Sequence, residues 1–333
     1  MTELRPLRLG TRASALALAQ SGQAGGEIVA GTGREVELVH VRTRGDVDRT
    51  SPLAQIGGTG VFVTAVREAL LAGEVDVVVH SCKDLPTLPA DGLSLACIPP
   101  REDPRDALCA AGGLGLAQLP EGASVGTGSP RRAAQLLRAR PDLQIVAIRG
   151  NIDTRLARAL GSQADLDAVV LAAAGLRRLG KEDAISELLP VEVMLPAPAQ
   201  GALAIEARCE DVAGAAPSGS GPAWFAPGLA RYDDPATRAA VTAERALLRS
   251  LEAGCSAPVA AFAEVRAGRL RLRALAIRPD GGHAVEGEAS APLDLASDAL
   301  SDPASVPARL GAQLAQTLLS RGAGAILEAA RQP

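Results

Sequence analysis

The hydrophobic and polar positions of residues 7–206 indicate buried strands that alternate with amphipathic helices. Continuous apolar runs, as at residues 75–80 and 167–172, are typical of parallel strands that are covered on both faces. Apolar residues recur at helical spacing at 61–72 and 129–139, which predicts helices that pack on one face. The same criteria predict further strands at 7–10, 35–42, 93–98, 124–126, 143–148 and 202–206, and further helices at 14–22 and 153–160. This alternation predicts an α/β fold.

Two proline-rich breaks divide this α/β region, one at Pro99-Pro100 and one at residues 195–201. They indicate a discontinuous first domain, residues 1–99 and 201–230, into which a second α/β domain, residues 100–200, is inserted. Such a pair of domains usually closes around a ligand, and the two crossings then act as hinges.

The last third of the chain has a different pattern. A Gly-, Ala-, Pro- and Ser-rich stretch at 214–227 predicts a surface excursion. Beyond it the chain shows one helix, three alternating stretches and a final helix, at residues 235–251, 259–265, 270–277, 283–289 and 306–330. Alternation with period two is typical of an antiparallel sheet with one covered face. We therefore expect a third, α+β domain at residues 231–333.

Composition and charge argue against several classes of function. Aromatic residues make up only 2% of the chain, which argues against a single-stranded nucleic-acid binder that stacks bases. The net charge of −4 provides no basic surface for nucleic acid or for an anionic membrane. No stretch is apolar over the roughly 18 residues of a membrane span, and the start of the chain lacks the apolar core of a signal peptide.

Cysteine, histidine and arginine usage narrow the picture further. The five cysteines are scattered without a CxxC pair, which favours a reducing cytoplasm over a disulfide framework. The three histidines are dispersed, so we expect no metal site. Of the 34 basic residues only Lys83 and Lys181 are lysines. Arginine holds carboxylates and phosphates through two parallel hydrogen bonds, so the composition favours an anionic ligand.

A polar motif, Ser81-Cys82-Lys83-Asp84, follows directly on the predicted strand 75–80. Ligands bind at the carboxyl ends of strands in open α/β sheets, so this motif is a candidate site. A carboxylate near Lys and Arg stays ionised, which suits Asp84 to stabilise a cationic intermediate. The alternative interpretation is structural, with a serine that caps a helix and an ion pair on the surface.

Residues 126–132, Gly-Thr-Gly-Ser-Pro-Arg-Arg, form a predicted turn from strand to helix. Ser129 is suited to cap the helix, and the proline after it to begin it. Thr127, Ser129, Arg131 and Arg132, together with the free N–H groups of the helix start, predict an anion pocket. The motif lacks the GK[ST] ending of a phosphate-binding P-loop, and a plain helix cap would not require two arginines.

Arginines follow the other predicted strands in the same way, as Arg12 with Ser14, Arg149 with Gly150 and Arg155, and Arg177 with Arg178. Each of these residues taken alone is typical of a solvated surface. Strand ends that all carry arginine, lysine or hydroxyl groups favour a ligand with several carboxylates or phosphates.

Cys255 follows the predicted helix 235–251, in a loop that begins at Gly254. A lone cysteine is most often a buried and inert thiol. A loop cysteine that faces arginines would instead have a lowered pKa and act as a nucleophile.

Taken together, these motifs resemble the porphobilinogen deaminase family, whose members are also called hydroxymethylbilane synthases. The matching segments run in order along the chain, at residues 10–14, 43–46, 80–84, 101–106, 126–132, 149–151, 174–176, 200–201 and 251–255. The resemblance implies two α/β domains similar to periplasmic binding proteins, with a cleft between them, and a C-terminal α+β domain. It also implies a cytoplasmic, monomeric enzyme with no nucleic-acid or membrane partner.

The chemistry implied by the resemblance is the head-to-tail joining of four porphobilinogen molecules into hydroxymethylbilane, with release of ammonia. The chain grows on a dipyrromethane cofactor that is attached through a thioether to Cys255, and the catalytic aspartate falls on Asp84. The implied cofactor contacts are Ser81, Lys83, Asp84, Thr127, Ser129, Arg131, Arg132 and Gly150. The implied substrate contacts are Arg12, Ser14, Arg149, Arg155, Arg178 and Gln200.

Two other hypotheses account for part of the pattern. A non-catalytic, two-lobed binding protein for a polycarboxylate explains the α/β lobes and the arginines, but neither the third domain nor Cys255. A thiol-dependent hydrolase lacks a histidine that pairs with the cysteine. The chain also departs from the family at Gln55 and Thr59, where many members carry lysines, and in the longer stretch 214–227.

Overall fold

The computed structural model describes residues 4–41, 61–212, 223–254, 257–296 and 300–331. The chain groups into two compact units, Met1–Pro100 with Ala202–Pro235, and Arg101–Gly201 with Ala236–Pro333. Each unit is described by itself below. The three-domain division predicted from the sequence is finer than this grouping and stays a prediction.

The first unit contains a five-stranded mixed sheet. Its strands are β1 (Leu7–Thr11), β2 (Val36–His40), β3 (Val77–Ser81), β4 (Leu93–Cys97) and β10 (Leu203–Arg208), and its helices are α1 (Ala15–Val29), α2 (Val61–Leu71), α6 (Cys209–Val212) and α7 (Ala226–Tyr232). The strand order is β2-β1-β3-β10-β4. β1, β2 and β3 are parallel, and β10 runs antiparallel between β3 and β4. All three parallel strands end at the same edge, where the motifs of this unit lie.

Helix α1 extends to Val29, whereas the sequence pattern predicts an end near Gly22. An early end is predicted because this part of the chain contains several glycines, and glycine destabilises the interior of a helix. One of them, Gly25, has a packing role, because a Cβ there would lie 2.7 Å from Cγ1 of Val36 on β2. The missing side chain lets helix and strand approach closely, and the buried contact keeps the last turns helical.

The second unit contains another five-stranded mixed sheet. Its strands are β5 (Asp106–Ala110), β6 (Ser124–Thr127), β7 (Gln144–Ala147), β8 (Ala168–Ala172) and β9 (Glu187–Leu188), and its helices are α3 (Pro130–Ala139), α4 (Ile152–Leu160) and α5 (Ala173–Arg178). The order is β7-β6-β8-β5-β9, with β6 parallel to its neighbours and β5 antiparallel to β8.

Strand β5 is absent from the sequence-based prediction. Its first residue, Asp106, ends a charged segment that contains a proline, a pattern typical of a loop. All five residues of the strand are nevertheless buried. The burial is possible because guanidinium groups neutralise Asp106, a tertiary effect that local patterning does not contain.

The same unit ends in a three-stranded antiparallel sheet. Its strands are β11 (Val259–Arg266), β12 (Arg269–Ile277) and β13 (Ala284–Pro292), and its helices are α8 (Pro235–Ser250), α9 (Val306–Ser320) and α10 (Ala323–Arg331). The sequence predicts α9 and α10 as one helix. They separate at Gly322, whose φ of +100° is a conformation that helices do not contain.

The predicted fold class, α/β sheets followed by a C-terminal antiparallel sheet with helices, is confirmed. Within the described ranges, no helix has both the length and the apolar character that a membrane span requires.

Candidate functional site

In the first unit, two polar segments lie at the end of neighbouring parallel strands. Arg12, half-buried, follows β1, and Ser14 caps α1 by accepting a 3.2 Å hydrogen bond from the N–H of Ala17. Thr11 is buried and accepts a 2.8 Å hydrogen bond from the Ser21 hydroxyl, which fixes the start of α1 against the strand.

The second segment is Ser81 with the turn Cys82–Asp84, which continues β3 as a short 3-10 helix. Ser81 does not cap this helix; its hydroxyl lies 3.0 Å from the side-chain nitrogen of Gln20, on α1. Lys83 is half-buried and Asp84 is exposed. The structure thus gives no serine cap at this turn, and the choice between a functional and a structural role for the motif stays a prediction.

In the second unit, the turn after β6 carries the predicted anion motif. Ser129 caps α3 by accepting from the N–H of Arg132, and Pro130 is the first helical residue. The N–H of Ser129 donates to Oγ1 of Thr127 at 3.2 Å. Gly128 lies so close to β7 that a Cβ would be 2.6 Å from the carbonyl oxygen of Ile148. The local geometry is therefore that expected from the sequence.

Arg131 and Arg132, which begin α3, point inward. Both are buried and both pair with Asp106, at 2.8 Å from its two carboxylate oxygens. Gln200 donates from its amide to the same carboxylate at 2.8 Å and lies 3.5 Å from Nη2 of Arg132. The other terminal nitrogen of Arg131, Nη1, donates a hydrogen bond to the carbonyl oxygen of Leu195 at 2.6 Å. The Nε of Arg131 is buried and has no hydrogen-bond partner.

The charges of this cluster do not cancel. Burial raises the pKa of the Asp106 carboxyl, but the two guanidiniums and the Gln200 amide outweigh burial and lower that pKa to about 2. Burial also lowers the pKa of Arg131, against the attraction of Asp106. Among the residues that the structure describes, one carboxylate thus faces two buried guanidiniums, which leaves an excess positive charge in this cluster.

Arg155 increases this excess. It belongs to α4 and donates from Nε to the carbonyl of Gly150 at 2.9 Å. Burial, and then repulsion by Arg132, lower the pKa of Arg155. Gly150 has a φ of +103°, and a Cβ there would lie 2.9 Å from the side chain of Thr154, so glycine is required at this turn.

The remaining predicted arginines of this unit have different surroundings. Arg149 is exposed beside Gly150, and Arg178 is half-buried and donates from Nη2 to the carbonyl of Gly201 at 2.7 Å. The structure therefore brings together Arg131, Arg132, Arg155 and Gln200.

The segment 195–201 is bound through its main chain. Its N–H and carbonyl groups bond to side chains elsewhere in the unit: Leu195 to Arg131, Ala199 to Glu244, Gln200 to Arg101 and Gly201 to Arg178. Glu244, on α8, is completely buried, and its carboxylate accepts two bonds from Arg101, at 2.7 and 3.1 Å. Ala199 has a φ of +61°, in the left-handed region.

Sequence reasoning missed the buried carboxylates that hold these arginines. Asp106, Glu206 and Glu244 are each at most 4% exposed. The available signal was a single acidic residue within an apolar run, as Glu206 is in Leu-Ala-Ile-Glu-Ala. Such a residue requires a buried partner, because an isolated charge in the core is strongly unfavourable.

Four predicted positions lie outside the described residues. They are Cys255, Gln55, Thr59 and the matching segment 43–46, and with them most of the glycine-rich stretch, residues 214–222.

Two mixed α/β sheets with arginine, lysine and hydroxyl groups at their strand ends, followed by an antiparallel sheet, define an α/β protein with an arginine-rich candidate anion site. The chain belongs to the porphobilinogen deaminase family. The family model described as "Porphobilinogen deaminase, dipyromethane cofactor binding domain" matches residues 7–215. The model described as "Porphobilinogen deaminase, C-terminal domain" matches residues 238–319.

Three relatives match nearly the whole chain. The porphobilinogen deaminase of Thermobifida fusca is 50% identical and covers 97% of this chain and 96% of its own. That of Leifsonia xyli is 52% identical, with 95% of this chain and 93% of its own covered. Porphobilinogen deaminase 1 of Streptomyces coelicolor is 48% identical, with 98% of both chains covered.

A periplasmic substrate-binding protein of an ABC transporter from Coxiella burnetii aligns with 67% of this chain and 92% of its own, at 18% identity and a TM-score of 0.37. The description of the fold therefore rests on the sheet topology of this chain and not on that superposition.

Replacement of Asp106 by Asn is expected to lower the free energy of unfolding at pH 7 by about 3–5 kcal/mol, because two buried guanidiniums lose their carboxylate. Urea denaturation measures the change. Asp165→Asn is the control, since Asp165 pairs with Arg158 on the exposed surface of the same unit, where solvent screens the pair, and its loss should leave stability close to that of wild type. Equal losses in the two variants would contradict the role of Asp106.

The difference in unfolding free energy between wild type and Asp106→Asn should depend on pH. The Asp106 pKa is about 2 in the folded chain, below its ordinary 3.8, so its contribution to stability is complete above the higher value and is lost as the pH falls toward 2. The difference in unfolding free energy between wild type and Asp106→Asn should therefore narrow by about 2 kcal/mol between pH 5 and pH 2. A constant difference over that range would count against an ionised Asp106.

Proposed function

We propose that this chain is a transferase that joins four porphobilinogen molecules head to tail into hydroxymethylbilane. Each addition forms one carbon–carbon bond between pyrrole units and breaks the carbon–nitrogen bond of the substrate's aminomethyl group, and ammonia leaves with the proton displaced from the pyrrole carbon that is joined. One water molecule supplies the hydroxyl group of hydroxymethylbilane when the four-unit product is released. The proposal is supported by membership of the family and by relatives of that name that are 48–52% identical over nearly the whole chain.

The observation that carries the proposal is the excess positive charge around Asp106. Among the described residues, the guanidiniums of Arg131 and Arg132 both pair with this one carboxylate, and Arg155 adds a third positive charge close enough to Arg132 to repel it. An excess buried charge is unfavourable unless an anion compensates it. Porphobilinogen carries two carboxylates on each pyrrole, so every addition brings negative charge that suits such a cluster.

A dipyrromethane cofactor fits this set of donors. The unpartnered Nε of Arg131 and the cationic surroundings are suited to the acetate and propionate groups of two linked pyrroles. The residues proposed to hold the cofactor are Ser81, Lys83, Asp84, Thr127, Ser129, Arg131, Arg132 and Gly150. When bound, the cofactor supplies the pyrrole carbon to which the first substrate unit is joined.

Cys255 is the proposed attachment point, through a thioether. The assignment rests on the resemblance of residues 251–255 to the family motif, and Cys255 falls within the residues that the C-terminal family model matches. The other cysteines are less suited to it. Cys82, Cys97 and Cys109 are buried, and burial raises the pKa of Cys109 to about 12, which keeps that thiol protonated and unreactive.

Asp84 is the proposed catalytic residue. When ammonia leaves, positive charge develops on the pyrrole, and an ionised carboxylate near the pyrrole nitrogen stabilises that charge. Arg12, Ser14, Arg149, Arg155, Arg178 and Gln200 are proposed to bind substrate carboxylates. Gln200 contributes mainly by holding Asp106 and Arg132 in place. We further propose that the enzyme acts as a cytoplasmic monomer.

The covalent cofactor is tested by the mass of the denatured chain. Wild type should exceed its sequence mass by two linked pyrrole units, and Cys255→Ser should not. Cys209→Ser is the matched control, because Cys209 is an exposed free cysteine, and this variant should retain the adduct. A bare wild-type chain that takes up no pyrrole units from porphobilinogen would favour the non-catalytic binding protein instead.

Replacement of Asp84 by Asn should leave the chain folded and loaded with cofactor, because Asp84 is exposed and unpaired among the described residues. Turnover of porphobilinogen should fall by roughly 10²–10³, as for other preorganised electrostatic groups. Steady-state rates and intact mass, measured on one preparation, separate loss of chemistry from loss of cofactor. Near-normal turnover would exclude Asp84 as the catalytic carboxylate.

Two arginines of α4 provide a matched test of the anion site. Arg155→Leu removes a guanidinium of the excess-charge cluster, whereas Arg158→Leu removes one that is paired with Asp165. The first should lower kcat/KM at least about tenfold and shorten the ladder of pyrrole adducts seen by mass. The second should leave both unchanged. Identical ladders in the two variants would refute the assignment of Arg155.

A further inference from the structure

A second buried charge cluster lies in the first unit and has no assigned role. Its centre is the carboxylate of Glu206 on β10, which is 4% exposed. Arg67 of α2 donates to both carboxylate oxygens, from Nε at 2.9 Å and from Nη2 at 2.7 Å. Nε2 of His80, on β3, lies 3.0 Å from one of them.

The carboxylate is ionised in this arrangement. Burial raises the pKa of Glu206, but the contacts with His80 and Arg67 outweigh burial and lower that pKa to about 2. An ionised carboxylate only accepts hydrogen bonds, so the proton of the shared bond belongs to Nε2 of His80. The buried anion on β10 thus accepts hydrogen bonds from two other elements, α2 and β3.

The position of the cluster along the chain connects it to the Ser81–Asp84 turn. His80 is the residue before Ser81, and β10 runs beside both, with Ala204 opposite His80 and Leu203 opposite Ser81. The pairing continues into the turn, where the N–H of Cys82 donates to the carbonyl of Ala202 at 3.0 Å. Any shift of β10 relative to β3 is therefore transmitted directly to the backbone that carries Asp84.

We propose that Glu206, with Arg67 and His80, is a positioning group that holds β10 and α2 against the end of β3 and so fixes the Asp84 turn. This inference rests on the proposed function, because it assigns to Asp84 the catalytic role given above. Glu206 lies behind the turn in the sheet and acts only through His80 and the strand pairing.

The physical basis is the sensitivity of reaction rates to the position of a catalytic group. Displacement by about 1 Å lowers a rate by about a hundredfold in well-studied cases. Asp84 has no partner of its own among the described residues, so its position depends on the backbone of its turn. That backbone is held by the pairing with β10, by Gln20 at Ser81 and by the Glu206 cluster.

The same strand provides a matched control at its other end. Asp76, directly before β3, is 1% exposed and pairs with Arg8 at 2.8 Å and with Arg5 at 2.5 Å. It also accepts from the N–H of Arg8 at 3.0 Å. Asp76 and Glu206 are thus both buried and both paired with arginine, but Glu206 contacts His80, four residues before Asp84, whereas Asp76 lies before the opposite end of β3.

The experiment compares Glu206→Gln with Asp76→Asn in the full-length, cofactor-loaded chain. Both variants should unfold at a lower urea concentration than wild type. Glu206→Gln should also lower kcat for porphobilinogen about tenfold or more, with KM within about twofold of wild type, since the substrate arginines are untouched. Asp76→Asn should retain the wild-type kcat.

Each alternative outcome decides the matter. Wild-type kcat in Glu206→Gln overturns the positioning role, and so does an equal fall of kcat in Asp76→Asn, which would indicate general destabilisation. If Glu206→Gln fails to fold, Arg67→Met is measured in its place. This variant retains the Glu206–His80 contact and should still lower kcat. An unchanged kcat in Arg67→Met would also overturn the positioning role. A wild-type chain that makes no hydroxymethylbilane overturns the proposed function, and this inference with it.

Discussion

The neutralisation of buried carboxylates by arginine is the constraint on which this structure depends. Asp106 begins a completely buried strand only because Arg131 and Arg132 face it, and these arginines hold their position only because Asp106 is there. Two guanidiniums pair with one carboxylate, and this imbalance of charge is the main support for the proposed function. A balanced pair would be purely structural, whereas the excess guanidinium found among the described residues is the basis of the proposed anion site.

Buried acids of the two units show how arginine can serve two purposes. Glu206 and Glu244 are satisfied by their own partners and hold strands and helices together. The Asp106 cluster uses the same chemistry but adds arginines beyond what its carboxylate can satisfy. An arginine-rich composition therefore does not by itself identify a binding site. The balance of charge around each carboxylate does so, and only the structure reveals it.

Local patterns predicted much of the fold and of the motifs. The apolar run at 75–80 and the Ser-Pro helix start at 129–130 were both predicted, since their causes lie within a few residues. The prediction did not include β5, because its burial depends on Arg131, which is distant in sequence. It ended α1 too early, because the packing role of Gly25 depends on Val36. Partners remote along the chain are thus the information that a single sequence does not contain.

The segment 195–201 is bound largely by its peptide groups, so at most of its positions the path does not depend on the side chain. The exceptions are Gln200, whose amide bonds to Asp106, and Gly201, where a Cβ would lie 2.3 Å from the carbonyl oxygen of Glu102. Substitutions that leave the backbone free to follow this path should accumulate at the other positions over evolution with little effect on the fold. Ala199 illustrates the point, since an alanine occupies a left-handed conformation in which glycine would be unstrained. Sequence divergence at residues 195–199 is therefore a poor measure of functional divergence among relatives.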